Sequence, residues 1–221
     1  MEIGHAHDVT VETTFEFVNT LDREDGKAIE RLPTLRKVLG WFEDRDLIHR
    51  EGADLAMHRA VDEPEEAERV LEHVYDVRAA LREVSDAVVE HRVPTAGALD
   101  LINRALHARQ VIELVPVNDG VHVGHRHVGD PVDDALARLA DALVQELTIG
   151  QPERIRICDN EACRWVFFDT SRTGRRRWCD MATCGNRAKQ ARHRARTKVR
   201  AASEPLDGST ADPGTARVPS A

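Results

Sequence analysis

The sequence has few aromatic residues and no long apolar run. Phe, Trp and Tyr make up only 4% of the 221 residues, so we expect a core built mainly from Leu, Val, Ile and Ala. No apolar run approaches the ~18 residues of a membrane-spanning helix, so we expect no membrane partner. Segment 1–12 lacks the charged-then-apolar pattern of a signal peptide. We therefore predict a cytoplasmic protein.

Motifs that identify common enzyme classes are also missing. The sequence contains no phosphate-binding loop, dinucleotide fingerprint or nucleophile motif, and no internal repeat. We therefore predict no catalytic residue and a protein that is not an enzyme.

Charge is distributed unevenly along the chain, whose formal net charge is −8. Segment 154–200 holds fourteen Lys and Arg against four Asp and Glu, about +10. The remainder holds 17 Lys and Arg against 35 Asp and Glu, about −18. A basic segment on an acidic protein is typical of nucleic-acid binding.

Apolar spacings of three and four residues predict helices in the first part of the chain. The clearest helix runs from about Pro64 to Glu90. Acidic residues lie in its first turn, where the helix dipole stabilises negative charge. Three shorter helices are predicted: one near Phe15 capped by Thr14, one with Pro33 at its first position, and one after Pro94.

The long helix carries a continuous apolar seam. Two interpretations stay open, packing in the core or a homodimer surface. The seam consists of Val70, Val74, Val77, Leu81, Val84 and Val88.

The apolar period changes after the helices. Residues Val111–Val117 and Val121–Val128 are rich in β-branched side chains and flank Asn118-Asp119-Gly120, a hairpin signal. Asp130 followed by Pro131 predicts the cap and first turn of another helix, which ends near 150–152.

Two features of the first part invite a functional or a structural interpretation. His122, His125 and His127 on one predicted strand could bind a metal or an anionic ligand, or they could be surface residues of a hairpin. Asn19 could accept a ligand or cap a buried backbone group.

The fold class that follows is α+β. We predict a mainly helical domain with a small β-hairpin element over 1–152, followed by a small zinc-binding hairpin-plus-helix module over 153–200. Residues 201–221 have almost no large apolar groups, and we predict a disordered tail.

All four cysteines lie in the basic segment with the spacing C-x4-C, fifteen residues, C-x4-C. Four thiolates suit a closed tetrahedral site for structural Zn²⁺, which would stabilise a module too small for a large core. Trp165–Phe168 suit a hairpin between the two pairs. Disulfides, free thiols and His193 as a substitute ligand are the alternatives. The predicted metal ligands are Cys158, Cys163, Cys179 and Cys184.

A basic helix is predicted to follow the last cysteine, since 186–200 contains no Gly or Pro and 187–200 no acidic residue. Ala188, Ala191, Ala195 and Val199 form a narrow stripe predicted to pack on the zinc hairpin. Scarce aromatic groups favour DNA over RNA. The predicted nucleic-acid contacts are Arg175, Arg176, Arg177, Asn186, Arg187, Lys189, Arg192, Arg194, Arg196 and Lys198.

The basic segment resembles the CGNR zinc finger, named for the tetrapeptide found here at 184–187. The shared motifs C-D-N-E-A-C, F-F-D-T-S, R-R-R-W-C-D-M and C-G-N-R-A-K extend over about 154–198, and the family's zinc ligands fall on the four cysteines. The first part resembles the ABATE domain at 17–21 and 39–42.

This resemblance implies a bacterial transcription regulator with a structural zinc ion, DNA as partner and an N-terminal domain that senses a small-molecule effector. The alternatives are an RNA-binding protein, or a small-molecule-binding protein or enzyme in which the zinc finger is only a scaffold.

Overall fold

The computed structural model describes residues 9–24, 27–107, 110–117, 120–127 and 129–203. The chain is α+β, as predicted. Its helices are α1 Val11–Val18, α2 Leu35–Glu43, α3 Arg50–Asp62, α4 Pro64–Val89, α5 Ala96–Leu106, α6 Pro131–Ile149 and α7 Asn186–Ser203. Its strands are β1 Leu21–Glu24, β2 Lys27–Glu30, β3 Gln110–Val117, β4 Gly120–His127, β5 Ile155–Ile157 and β6 Val166–Phe168.

The strands form three antiparallel two-stranded hairpins, β1–β2, β3–β4 and β5–β6. In the predicted hairpin, Val117 pairs with Gly120 and Gln110 with His127. The hairpin β1–β2 was not predicted, although the sequence between its strands is Asp25-Gly26, a dipeptide typical of hairpin turns.

Helix α4 lies at the centre of the core and contacts α1, α2, α3, α5 and α6. The middle of its apolar seam is buried: Val74, Val77, Leu81 and Val84. These four side chains therefore pack inside the chain and are not available for a homodimer surface. Within the described ranges, no helix combines the length and apolarity of a membrane span.

Two predicted helix starts were wrong. Helix α1 begins at Val11, and Thr14 lies inside it, buried, where its hydroxyl donates to the Leu139 carbonyl at 2.8 Å. Helix α2 begins after Thr34, whose side chain accepts from the backbone N–H of Lys37, so Pro33 lies outside the helix. A side-chain cap thus sets the start of α2, whereas Thr10 before α1 has no side-chain cap hydrogen bond. By contrast, Asp130 caps α6 as predicted, accepting from Val132 N–H at 2.8 Å.

A buried ion pair ties the first hairpin to the central helix. Arg78 on α4 is only 4% exposed, and its guanidinium donates to both carboxylate oxygens of Glu30 on β2. It also donates to the hydroxyl of Thr20 at 2.8 Å. Because removing one partner would leave a buried charge unpaired, this pair fixes where β2 meets α4.

Hairpin β5–β6 contributes side chains to two separate buried clusters. Ile155 and Val166 are part of the same buried cluster as the N-terminal helices. Phe167, on the opposite face of β6, packs with the cysteines. Alternation of side chains along a strand produces this division. The hairpin pairs β6 with β5 across the first C-x4-C turn, so the predicted hairpin between the two cysteine pairs was wrong.

Candidate metal centre and basic helix

The four cysteines come from two turns that the fold brings together. Cys158 directly follows β5, and Cys163 lies three residues before β6. Cys179 follows the long loop after β6, and Cys184 lies in a π-helical turn, Met181–Gly185, that leads into α7. The predicted position of Cys184 beside a helix start is confirmed.

The sulfur atoms are spaced for one shared cation. All four lie within 4.8 Å of one another. The Sγ of Cys179 is 3.7 Å from that of Cys163 and 3.8 Å from that of Cys184. A tetrahedral site with metal–sulfur distances of about 2.3 Å has edges of about 3.8 Å. Sulfurs at these distances are unbonded, since a disulfide measures about 2.05 Å, and all four cysteines are free.

Hydrogen bonds hold both cysteine turns in place. In the first turn, the Asn160 side chain accepts from Ala162 N–H and donates to the Cys184 sulfur at 3.3 Å, which joins the two turns. In the second turn, Asp180 accepts from both the backbone N–H and the hydroxyl of Thr183. Such outer contacts orient the ligands of a metal site.

The electrostatics of the cluster favour a dication. A hydrogen bond from Cys179 lowers the pKa of Cys158 to about 5. Burial raises the pKa of Cys163 to about 12, and the charge on Cys158 opposes its ionisation further. The Cys158 thiolate therefore raises the pKa of Cys163 and Cys179, whereas a bound dication would stabilise neighbouring thiolates together. The donor set fits a soft tetrahedral metal.

The loop between β6 and Cys179 is organised by a buried carboxylate. Asp169 accepts from the backbone N–H groups of Ser171 at 2.9 Å and Arg176 at 2.7 Å. Burial would raise its pKa, but these hydrogen bonds outweigh burial and hold the pKa below its ordinary value. Gly174 closes the loop with a φ of 61°, which favours glycine. The motif F-F-D-T-S contains Asp169, although its spacing alone does not predict this role.

The three consecutive arginines of the loop differ in their surroundings. Arg176 is half-buried, lies 5.2 Å from the centre of the Phe167 ring and donates to the Cys179 carbonyl. Arg177 pairs with Asp159 at 2.5 Å, whereas Arg175 is exposed. Arg176 and Arg177, two of the three arginines predicted to contact nucleic acid, thus also have contacts within the finger.

Helix α7 leaves the finger after its first turn. Asn186 donates to the Ala182 carbonyl at 2.9 Å and so continues the preceding turn. From residue 189 to 197 every residue is exposed, and among the described elements α7 packs mainly on the π-helical turn. Of the predicted stripe, Ala188 is half-buried, whereas Ala191 and Ala195 are exposed and so do not pack on the zinc hairpin as predicted. The side chain of Val199 lies outside the described residues.

Several of the cationic residues predicted to contact nucleic acid lie on this exposed helix or at its base. Trp178 anchors its base, lying 5.2 Å from the guanidinium of Arg177 and 5.8 Å from that of Arg192. The other exposed cations on the described side chains are Arg187, Lys189, Arg194 and Arg196. The side chain of Lys198 and residues 204–221, most of the predicted tail, lie outside the described part.

Asn19 has the structural role that was one of its two interpretations. Its Nδ2 donates to the Val166 carbonyl at 2.8 Å, and its Oδ1 accepts from the Val166 N–H at 3.0 Å. Beside it, the Trp165 indole N–H donates to Asp22 at 2.8 Å. No pattern in the sequence predicted the hydrogen bond between Trp165 and Asp22. The side chains of His122, His125 and His127 lie outside the described residues.

Comparison with known families identifies both parts of the chain. A family model for the CGNR zinc finger matches residues 154–197. A model for the ABATE domain, described as "Putative stress-induced transcription regulator", matches residues 13–150, more than half of the chain. Both expected resemblances are confirmed, in the expected order. No curated protein in the comparison matches the chain.

Proposed function

The chain belongs to the ABATE family, and from this premise we propose that it is a DNA-binding transcription regulator. In this proposal the four cysteines hold one structural zinc ion, α7 contacts DNA, and the N-terminal domain senses a small molecule. The protein performs no catalysis of its own and acts in the cytoplasm.

Zinc is favoured by the ligand set and by the shape of the cluster. Four sulfurs complete a tetrahedron and leave no coordination position for water or substrate, which distinguishes structural from catalytic zinc. Cys158 and Cys184 are buried, so the ion is shielded on that side. Purified protein is expected to contain one equivalent of zinc, and loading with Co²⁺ should give the absorption of tetrahedral thiolate coordination.

The observation that carries the DNA-binding proposal is the exposure of α7. The helix has 18 residues, about 27 Å at 1.5 Å per residue, and its exposed stretch has cations but no carboxylate. Like charges four residues apart, such as Arg192 and Arg196, destabilise an isolated helix. A polyanion removes that repulsion, and the major groove of DNA admits a helix.

A salt titration with matched variants tests the proposal. The full-length zinc-loaded protein is titrated onto mixed genomic DNA fragments over a salt series. Arg194→Gln with Arg196→Gln should weaken binding and lower the salt-dependence slope by about 2, one for each phosphate contact. The control, Arg36→Gln with Lys37→Gln, removes the same charge from exposed positions on α2 and should bind as the parent protein does.

Three results of this titration have different meanings. Steep salt dependence that disappears on chelation, with selected fragments still bound at physiological salt, supports a DNA-binding regulator. Equal loss in both double variants would make binding a property of total charge. Preference for competitor RNA over DNA, or absence of binding at low salt, contradicts the proposal and directs attention to the N-terminal domain.

A further inference from the structure

A cavity of about 610 Å³ lies between the N-terminal domain and the zinc finger. The N-terminal domain supplies residues of α1, β1 and the segments after them, and the finger supplies β6 and the second cysteine turn. The volume is within the range of pockets that hold small organic molecules. A molecule in this cavity would contact both parts of the chain.

Aromatic and apolar groups line the inner part of the cavity. Phe168 on β6 is half-buried, whereas Phe15 on α1 and Phe167 on β6 are almost fully buried and offer a ligand little accessible surface. The Trp165 indole stands at the edge, 38% exposed, where its hydrogen bond to Asp22 fixes its orientation. Such rings offer apolar contact area and negative faces that attract cations.

Both cationic side chains of the lining already have partners. The Arg31 guanidinium donates to Asp22 at 2.9 Å and also to Glu24. Arg45 donates to Glu16 at 2.9 Å, and its guanidinium lies 3.9 Å from the centre of the Trp41 ring. An anionic ligand would have to displace these carboxylates.

Carboxylates outnumber cations around the cavity. The lining contains four acidic and two basic side chains. Two of the acids form the pairs with Arg31 and Arg45, while Glu12 and Asp180 add negative charge on opposite sides, one from each part of the chain. Asp180 uses one oxygen to accept from Thr183. The excess charge and the aromatic lining select one ligand class.

We propose that this cavity is a binding site for a small organic cation with an aromatic or otherwise apolar body. The ligand's charge lies near Glu12 and Asp180, and its apolar body contacts Trp165 and Phe168. Because Asp180 caps the turn that leads into α7, occupancy changes how α7 is held. This regulatory consequence, unlike the site itself, rests on the proposed function.

Binding is tested on the full-length zinc-loaded protein with tetraphenylphosphonium as the cationic probe. The uncharged triphenylphosphine oxide, which keeps three of the rings, serves as the control ligand. The cation should bind at least about fivefold more tightly, the contribution of roughly 1 kcal/mol expected for a cation among aromatic rings and carboxylates. Equal affinities, or no binding of either probe, would overturn the proposal.

Matched variants locate the site. Trp165→Phe should abolish most of the change in tryptophan fluorescence on binding, whereas Trp178→Phe, which alters a ring outside the cavity lining, should retain it. Glu12→Gln should weaken the cation about threefold, while Glu72→Gln on the exposed side of α4 should leave affinity unchanged. Identical behaviour of the two Glu variants would place the probe elsewhere.

Repeating the DNA titration over a series of probe concentrations separates the two proposals. A shift of DNA affinity in the parent protein that needs about threefold more probe in Glu12→Gln supports coupling between the cavity and α7. Probe binding without any shift overturns coupling. Probe binding in a protein that never binds DNA overturns the proposed function and leaves the cation site intact.

Discussion

The helical core and the cysteine cluster are stabilised in opposite ways. The core unites apolar side chains from α1 to α6 and includes Ile155 and Val166 of the finger. The cluster buries only Cys158, Phe167 and Cys184, with three half-buried neighbours. Burial of apolar area is sufficient for the first region. The second buries little apolar area, so we propose that its shape depends on a metal and on strand β6, which it shares with the core.

The largest expected effect comes from removing a proposed metal ligand. Cys184→Ser should abolish tight zinc binding, which contributes about 10–16 kcal/mol in apparent free energy at structural sites, while the N-terminal helices stay folded. Metal analysis and far-ultraviolet circular dichroism measure both. Ala182→Ser, at an exposed position two residues away, is the control. Zinc bound with equal affinity by both variants would contradict the assigned ligands.

A smaller effect on stability is expected when a buried aromatic side chain of the core is truncated. Phe42 is fully buried and contacts Phe17, their ring centres 5.9 Å apart. Phe42→Ala should lower the free energy of unfolding by about 3–5 kcal/mol, as measured by urea denaturation, with one zinc still bound before unfolding. Leu55→Ala, at a 48% exposed site on α3, should cost far less. Zinc lost from native Phe42→Ala would show that the cluster depends on core packing more than we propose.

The two hydrogen bonds between Asn19 and Val166, which link the two regions, are expected to contribute less to the free energy of unfolding than Phe42 does. Asn19→Ala removes both hydrogen bonds to Val166 and leaves its buried backbone N–H and C=O without those partners. The expected loss is about 1–3 kcal/mol. Asn103→Ala on the exposed side of α5 is the matched control. If the two variants unfold at the same urea concentration, Asn19 does not hold the regions together.

The smallest expected effect lies inside the helical domain and depends on pH. A hydrogen bond with Asp133 on α6 raises the pKa of His73 on α4 above its ordinary value. A raised pKa stabilises the fold below about pH 6.5, and the contribution is lost as pH rises through the folded-state pKa. Because the pair is partly exposed, we expect a few tenths of a kcal/mol.

Urea denaturation at about pH 5.5 and pH 8.5 measures this contribution. His73→Gln should reduce the stability difference between the two pH values, and His58→Gln, at an exposed position on α3, should not. A pH dependence that is unchanged in His73→Gln would exclude this ion pair as its source.

Local patterns predicted the elements with strong periodicity. The apolar seam of α4, the Asp130 cap of α6 and the hairpin β3–β4 follow from spacing and turn chemistry. Helix α3 was missed because its buried residues are Ala53 and Ala56, while Leu55 and Val61 face solvent. Small buried side chains give a weak apolar period, so the sequence carries little signal there.

By itself, the sequence determined the four candidate metal ligands, the cationic helix and the α+β class, because ligand spacing, charge and apolar period are local properties. The tertiary structure alone decided that Asn19 and Trp165 join the finger to the N-terminal domain and that Glu12 and Asp180 line one cavity. Those outcomes depend on contacts between residues more than a hundred positions apart, which no local pattern encodes.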